Sequence, residues 1–179
     1  MKSIRRGNLI TLIQGDNHVI REEGVVLATI LGSCVSACLF DPLARIGGMN
    51  HFLLPDPGPG AIDPMSAKGY GVHAMELLIN AMMQAGASRS RLRAHLYGGA
   101  NMIERLGRIG SANAEFARGF LATEGIELVH EDLEGQQARR VQFIPTEGKA
   151  RCSRIAIKPD TVEQPLPSAL PTSGDVDLF

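Results

Sequence analysis

The chain has 179 residues, of which 44% are hydrophobic, and this length is typical of one domain built around one core. Its 18 basic and 19 acidic residues leave a net charge of −1, which excludes a strong overall attraction to nucleic acid or to a membrane surface. No apolar run is long enough to span a bilayer, and the first residues lack the apolar region of a signal peptide. Three cysteines without framework spacing favour a reducing compartment. We therefore expect a soluble, cytoplasmic domain.

The order of apolar segments predicts a mixed α/β domain. Strands are predicted over residues 25–31, 35–40 and 46–54, which are rich in Val, Ile and Leu, and a proline-rich loop follows over 55–65. A helix is predicted over 70–85, ending at Gly86. Its apolar positions recur at helical spacing, namely Val72, Met75, Leu78, Ile79 and Met82.

The second half of the chain continues the alternation of strands and helices. A second helix is predicted from residue 111 or 113 to residue 123, with Gly125 as its C-terminal stop. The remaining strands are predicted over residues 92–97, 126–131, 141–144 and 153–157. From residue 159 the composition turns to Pro, Ser, Thr and acidic residues. We therefore expect one domain over residues 1–158 and a mobile tail over residues 159–179.

The segment Leu31-Gly32-Ser33-Cys34-Val35 places a cysteine directly after a Gly-Ser turn, at the head of an apolar run. His51 lies near the end of the next apolar segment, and the turn signal Asp41-Pro42 between the two segments predicts a hairpin. A hairpin would bring the start of one segment beside the end of the other. A thiol beside an imidazole is the pair that a cysteine nucleophile requires. Backbone N–H groups near the Gly-Ser turn would suit a developing oxyanion.

The residues alone leave other interpretations of these side chains open. A cysteine in an apolar run is more often an inert packing residue, as Cys38 between Ala37 and Leu39 illustrates. A metal site of Cys34, Cys38 and His51 lacks a second half of ligands at the usual spacing, so we predict no metal. On the residues alone, the chain is a candidate thiol hydrolase.

The same motifs resemble the CheD family of chemoreceptor glutamine deamidases. The resemblance rests on Leu31-Gly32-Ser33-Cys34-Val35, Asp41-Pro42 and the run from Gly47 to Pro55, and it covers residues 24–157. Further matching segments are Tyr97-Gly98-Gly99-Ala100-Asn101-Met102, Ile109-Gly110 with Asn113, and Glu131-Asp132-Leu133 with Gly135 and Arg139-Arg140. The resemblance implies a single-domain, cysteine-hydrolase-like α/β sandwich related to deamidating bacterial toxins. It also implies a role in bacterial chemotaxis, with neither metal nor organic cofactor.

The resemblance also implies roles for individual residues. Cys34 matches the family's nucleophile and His51 matches its base. The family's third residue is a threonine that orients the imidazole, and the family spacing places it at Ala28. We assign this role to Thr29, one position later, which in a strand requires a bulge or a bend. A backbone carbonyl or Asn50 are the alternative partners of His51.

The implied reaction is hydrolysis of glutamine side chains to glutamate on methyl-accepting chemotaxis receptors, through a Cys34 thioester with His51 as acid and base. We expect five further residues to contact substrate or the oxyanion, namely Gly32, Ser33, Asn50, Gly98 and Gly99. The same site could cleave a glutamyl methyl ester. We expect a monomer that binds receptors.

Two other functions remain open. One is a non-enzymatic chemotaxis module that binds receptors or a CheC-type phosphatase, and a chain with that function needs no reactive thiol at Cys34. The other is a cysteine peptidase or transglutaminase with the same pair of residues. A peptidase requires a groove for an extended main chain, whereas a deamidase requires a narrow slot for one side chain.

Overall fold

Residues 4–6, 8–55, 64–102 and 108–155 are described in the computed structural model of the chain. The strands are β1 Ile4–Arg6, β2 Leu9–Thr11, β3 Asn17–Ile20, β4 Val26–Leu31, β5 Val35–Asp41, β6 Ile46–Asn50, β7 Arg93–Gly98, β8 Glu127–Leu133, β9 Ala138–Ile144 and β10 Lys149–Ile155. The helices are α1 Pro64–Gln84 and α2 Ile109–Glu124. The mixed α/β class predicted from the sequence is confirmed.

The strands form two sheets of five strands each. The outer sheet has the order β1-β2-β4-β9-β10, and the central sheet has the order β3-β6-β5-β7-β8. The chain passes from the outer to the central sheet between β4 and β5, a connection of only three residues, Gly32-Ser33-Cys34. We call this connection the crossover. Because it joins the two sheets directly, it lies at the edge of the layer between them.

Strand β5 of the central sheet is buried on both faces, which explains its unbroken apolar run. Alternate residues of β5 (Val35, Ala37 and Leu39) pack with buried side chains of α1 and α2. The intervening Cys38 and Phe40 pack with outer-sheet side chains such as Leu27 and Phe143. A strand covered on both faces has no polar alternation, as its sequence indicates.

The β5–β6 hairpin predicted from Asp41-Pro42 is confirmed. The buried Asp41 carboxylate accepts the N–H groups of Leu43 and Ala44, each at 3.0 Å, and so closes the turn on itself. It also accepts the Ser88 N–H at 2.9 Å and pairs with the Arg91 guanidinium at 2.8 Å. One side chain therefore fixes the turn and ties it to the segment that precedes β7.

Several predicted boundaries are wrong. The strand predicted over 46–54 ends at Asn50, and α1 begins at Pro64, within the predicted loop, because proline is tolerated in the first helical turn. Val72 is 42% exposed and does not belong to the buried face of α1. The strands β1, β2 and β3 were not predicted, since each has only three or four residues.

The other predicted elements are confirmed within a few residues, including the stop at Gly125, which has a φ of 65°. The predicted tail over residues 159–179 lies outside the described residues, as do 56–63 of the predicted loop and 156–157 of the last predicted strand.

Candidate active site

Cys34 ends the crossover and directly precedes β5. The next residue, Val35, exchanges two backbone hydrogen bonds with Phe52, each of 2.9 Å. Cys34 therefore enters an extended strand and does not begin a helix-like turn, so its thiolate is not favoured by the dipole of a helix starting at this residue. Its side chain is half-buried and packs against the core between the two sheets.

The register of the hairpin places Cys34 and His51 on one face. In the hairpin, Cys38 pairs with Met49 and Val35 pairs with Phe52. The same register places Ser36 opposite His51. Cys34 lies two residues before Ser36 and is therefore the diagonal neighbour of His51. Diagonal neighbours have Cα atoms about 7–8 Å apart and point to the same side of the sheet. That side is the layer between the sheets. The hairpin thus places the two predicted residues on one face, as expected.

Thr29 reaches the same layer from the outer sheet. It alternates in β4 with Leu27 and Leu31, which are fully buried between the sheets, whereas Ala28 belongs to the other face. β4 pairs with β9 from Leu27 to Leu31 without a register shift. The expected bulge or bend is therefore wrong, because the regular alternation of the strand already directs Thr29 to the inner face.

The hydroxyl of Thr29 determines which nitrogen of His51 carries the proton. Thr29 Oγ1 lies 2.9 Å from the Leu12 carbonyl oxygen and 2.9 Å from His51 Nδ1. A hydroxyl has one proton and the carbonyl can only accept, so Oγ1 donates to Leu12 and accepts from the Nδ1–H of His51. Neutral His51 then has its lone pair on Nε2. This atom is buried and has no hydrogen-bond partner among the described residues.

Burial keeps both catalytic candidates neutral. It lowers the pKa of His51 below its ordinary value of 6.5, although the Leu12 carbonyl and the charge of Asp16 oppose the change. Burial also raises the pKa of the Cys34 thiol above its ordinary value of 9.0, and the residue's own backbone N–H opposes that change. At neutral pH the site therefore contains a thiol and an imidazole, so that attack by sulfur requires His51 to remove the thiol proton.

A loop that was not predicted to take part, residues 12–16, holds His51 in place. The Gly15 N–H donates to the His51 carbonyl (2.7 Å), and the His51 N–H donates to the Asp16 carbonyl (3.0 Å). Asp16 in turn accepts the Ile13 N–H (2.9 Å), which closes the loop. The sequence carries one signal for this loop, the turn-forming Gly15-Asp16 after an apolar run.

Gly98 and Gly99 lie against the backbone of Cys34. The Gly99 N–H donates to the Cys34 carbonyl (2.7 Å), and the Ala100 N–H donates to the Gly32 carbonyl (2.8 Å). A Cβ at Gly98, whose φ is 109°, would lie only 2.1 Å from the Cys34 carbonyl oxygen. Both glycines are buried, and the Gly99 N–H already binds Cys34, so their position fixes the crossover. Their contact with substrate remains a prediction.

Asn50 faces away from Cys34 and His51. Its Oδ1 accepts the Ala37 N–H (2.9 Å), and its Nδ2 donates to the Ala74 carbonyl (3.3 Å) in α1. The predicted role in binding substrate or holding His51 is therefore corrected, because the side chain replaces a backbone partner in the β5–β6 ladder. Ser33 stays half-buried in the crossover, and its contact with substrate remains a prediction.

Two further properties concern the described part of the chain. Within it, no group of three or more His, Cys, Asp or Glu side chains is arranged to hold a metal ion. Neither α1 nor α2 is long and apolar enough to cross a membrane.

Comparison with known proteins identifies the family. The family described as CheD chemotactic sensory transduction matches residues 53–154. A probable chemoreceptor glutamine deamidase CheD of Zymomonas mobilis is 57% identical over 146 residues, which cover 82% of this chain and 80% of that protein. One of Caulobacter vibrioides is 45% identical over 174 residues, which cover 95% of this chain and 92% of that protein.

Among solved structures, the hypothetical protein YfiH of Bacillus licheniformis is 15% identical and has a TM-score of 0.41. The match covers 67% of this chain and 49% of that one, and a TM-score at this level does not establish a common fold. The family match and the two relatives do establish the family. The chain belongs to the CheD family.

Proposed function

We propose that this chain is a cysteine hydrolase that converts glutamine side chains of methyl-accepting chemotaxis receptors to glutamate. The observation that carries the proposal is the bond between Thr29 Oγ1 and His51 Nδ1, which leaves the Nε2 lone pair available. His51 lies on the same face of the hairpin as Cys34, and this supports the assignment of Cys34 as nucleophile. The relatives are themselves named as probable chemoreceptor glutamine deamidases.

The first half of the reaction forms a thioester. His51 Nε2 takes the thiol proton as Cys34 Sγ attacks the amide carbon, and the carbonyl electrons move onto oxygen. The imidazolium then gives its Nε2 proton to the amide nitrogen, and the C–N bond breaks to release ammonia. Thr29 stabilises the transient imidazolium, because its Oγ1 accepts the Nδ1–H throughout.

The second half hydrolyses the thioester. His51 Nε2 removes a proton from water as the water oxygen adds to the acyl carbon, and the tetrahedral species expels the Cys34 thiolate. The thiolate recovers the proton from His51, and the product is a glutamic acid that ionises at neutral pH. Each event thus adds one negative charge to the receptor, which can shift its signalling equilibrium.

Further features of the proposal follow from the family resemblance. The chain would act as a cytoplasmic monomer without a cofactor, and a CheC-type phosphatase is a candidate partner. The relation of the fold to deamidating bacterial toxins and the cleavage of glutamyl methyl esters also remain predictions.

The test is the mass of a receptor cytoplasmic fragment after incubation with the protein. We expect the wild type to produce the mass difference between an amide and a carboxylic acid, mapped to glutamine residues, and Cys34→Ala to produce none. Cys152→Ala is the matched control, because Cys152 is also half-buried but lies in β10, and it should retain activity. If the wild type modified no receptor fragment, the proposal would fail and the interaction module would become the better account.

A further inference from the structure

The side chain of Gln14, which is not one of the predicted catalytic residues, contacts the sulfur of Cys34. Gln14 Oε1 lies 3.7 Å from Cys34 Sγ and accepts the thiol proton. The contact joins residues 20 positions apart, so it depends on the folded arrangement of the two sheets. The Gln14 side chain is exposed, and it therefore lies at the solvent side of the nucleophile, where a substrate must enter.

The backbone around Gln14 is fixed by the catalytic residues themselves. Leu12 accepts the Thr29 hydroxyl, and Gly15 and Asp16 form both backbone hydrogen bonds of His51. Gln14 lies between these anchors. Any structure that places His51 and Thr29 correctly therefore also places the start of the Gln14 side chain next to Cys34.

Two hydrogen-bonding groups act on the sulfur. One is the backbone N–H of Cys34 itself, which lowers the pKa of the thiol against the larger effect of burial. The other is the side-chain amide of Gln14. When sulfur bonds to a carbonyl carbon, the carbonyl oxygen lies two bonds from the sulfur, and so within reach of a side chain that contacts the sulfur. A backbone N–H together with a side-chain amide is a recurrent composition of an oxyanion hole.

We propose that Gln14 is a catalytic residue whose side-chain amide N–H stabilises the oxyanion formed when Cys34 attacks a carbonyl carbon. In the resting protein the amide presents its oxygen to the thiol, which donates. Once the thiol proton has moved to His51, rotation of the exposed amide presents its NH2 group to the negative oxygen. A glutamine suits this position because its amide accepts in one orientation and donates in the other.

The inference deepens the proposed function, since it names a group that acts on the oxyanion of the same reaction. Gln14 was not among the five residues expected to contact substrate or the oxyanion. The inference also makes a chemical distinction. Attack at a carbonyl carbon creates an oxyanion, whereas alkylation at a saturated carbon does not, so Gln14 should matter for the first and not for the second.

The experiment compares Gln14→Ala and Gln14→Glu with the wild type in three reactions. These are deamidation of a receptor fragment, acylation of Cys34 by a small activated ester, and alkylation of Cys34 by iodoacetamide. Gln142→Ala is the matched control, because Gln142 is exposed in β9 and pairs with Ala28 on the far face of the outer sheet. Loss of one oxyanion donor typically lowers kcat by about 10²-fold or more.

We expect Gln14→Ala to slow acylation and deamidation by about 10²-fold while alkylation stays near the wild-type rate. Gln14→Glu should be at least as slow at neutral pH, because an ionised carboxylate repels the oxyanion. Equal slowing of acylation and alkylation would overturn the inference, since Gln14 would then act on the thiol itself. Unchanged acylation would overturn it as well. A wild type that is acylated by the ester but deamidates no receptor would refute the proposed function without refuting the role of Gln14.

Discussion

Replacement of Thr29 by valine removes one hydroxyl and nearly preserves the shape of the side chain. The change deletes the two 2.9 Å hydrogen bonds that join Thr29 to Leu12 and His51. His51 Nδ1–H and the Leu12 carbonyl then each lose their bond to the hydroxyl in a buried layer, at a cost of about 1–3 kcal/mol for each group that stays unsatisfied. The imidazole can recover part of this cost by changing tautomer, which removes the lone pair from Nε2.

A loss of about 1–3 kcal/mol in the reactive arrangement of His51 corresponds to a fall of roughly 5- to 150-fold in kcat. The same loss in the free energy of unfolding lowers Tm by roughly 2–12 °C for a chain of this size. Deamidation kinetics and thermal unfolding measure the two effects. Thr29→Ser retains the hydroxyl, so we expect it to restore most of the activity.

Thr11→Val is the matched control for this prediction. Thr11 lies on β2, where it pairs with Ala28 of β4, and its side chain is half-buried. Its replacement should leave kcat and its pH dependence unchanged. A wild-type kcat in Thr29→Val, or an equal loss in Thr29→Val and Thr29→Ser, would refute the reasoning.

Two further predictions concern pH and the crossover. Because burial lowers the pKa of His51, kcat/KM should persist below pH 6.5 and fall only as His51 becomes protonated. In His51→Ala, the midpoint of the pH dependence of Cys34 alkylation should lie above pH 9.0, because burial raises the pKa of the thiol. A rate of alkylation that is flat into the acid range would contradict a neutral thiol. Gly98→Ala should lower the free energy of unfolding by more than about 2 kcal/mol and abolish activity, because its Cβ would clash with the Cys34 carbonyl. The control is Gly125→Ala, because Gly125 has a φ of 65° and open space around its Cβ, and it should lower the free energy of unfolding by only about 1–2 kcal/mol. Equal unfolding curves for Gly98→Ala and Gly125→Ala would show that the clash at Gly98 is relieved elsewhere.

The pair of Cys34 and His51 could be predicted because its signals are local. The Asp41-Pro42 turn defines the hairpin, and the apolar segments on either side define its register. Thr29 was assigned against the family spacing, yet the alternation of side chains in its strand already predicts that Thr29 faces the inner layer. Leu27, Thr29 and Leu31 alternate, so a hydroxyl takes the place of an apolar side chain on the inner face.

The contributions of Asn50 and of the loop over residues 12–16 could not be predicted in the same way. Asn50 faces α1 because it is adjacent to His51 in an extended segment and so points to the opposite side of the sheet. The sequence does not indicate where a ladder will exchange a backbone partner for a side chain. The contacts of the loop are long-range, since Leu12 and Thr29 are 17 residues apart. Gln14 reaches Cys34 only once two sheets are packed together, and spacing along one chain does not reveal such packing.

The central claim is that Cys34 attacks a receptor glutamine, and the most direct measurement is the capture of the covalent intermediate. Wild-type protein is mixed with a receptor fragment, quenched in acid during turnover, and analysed by intact mass and peptide mapping. The account predicts an adduct of the receptor fragment, less ammonia, on Cys34, which disappears as glutamate forms and is absent in Cys34→Ala. Deamidation that proceeds without this adduct and survives in Cys34→Ala would contradict the account.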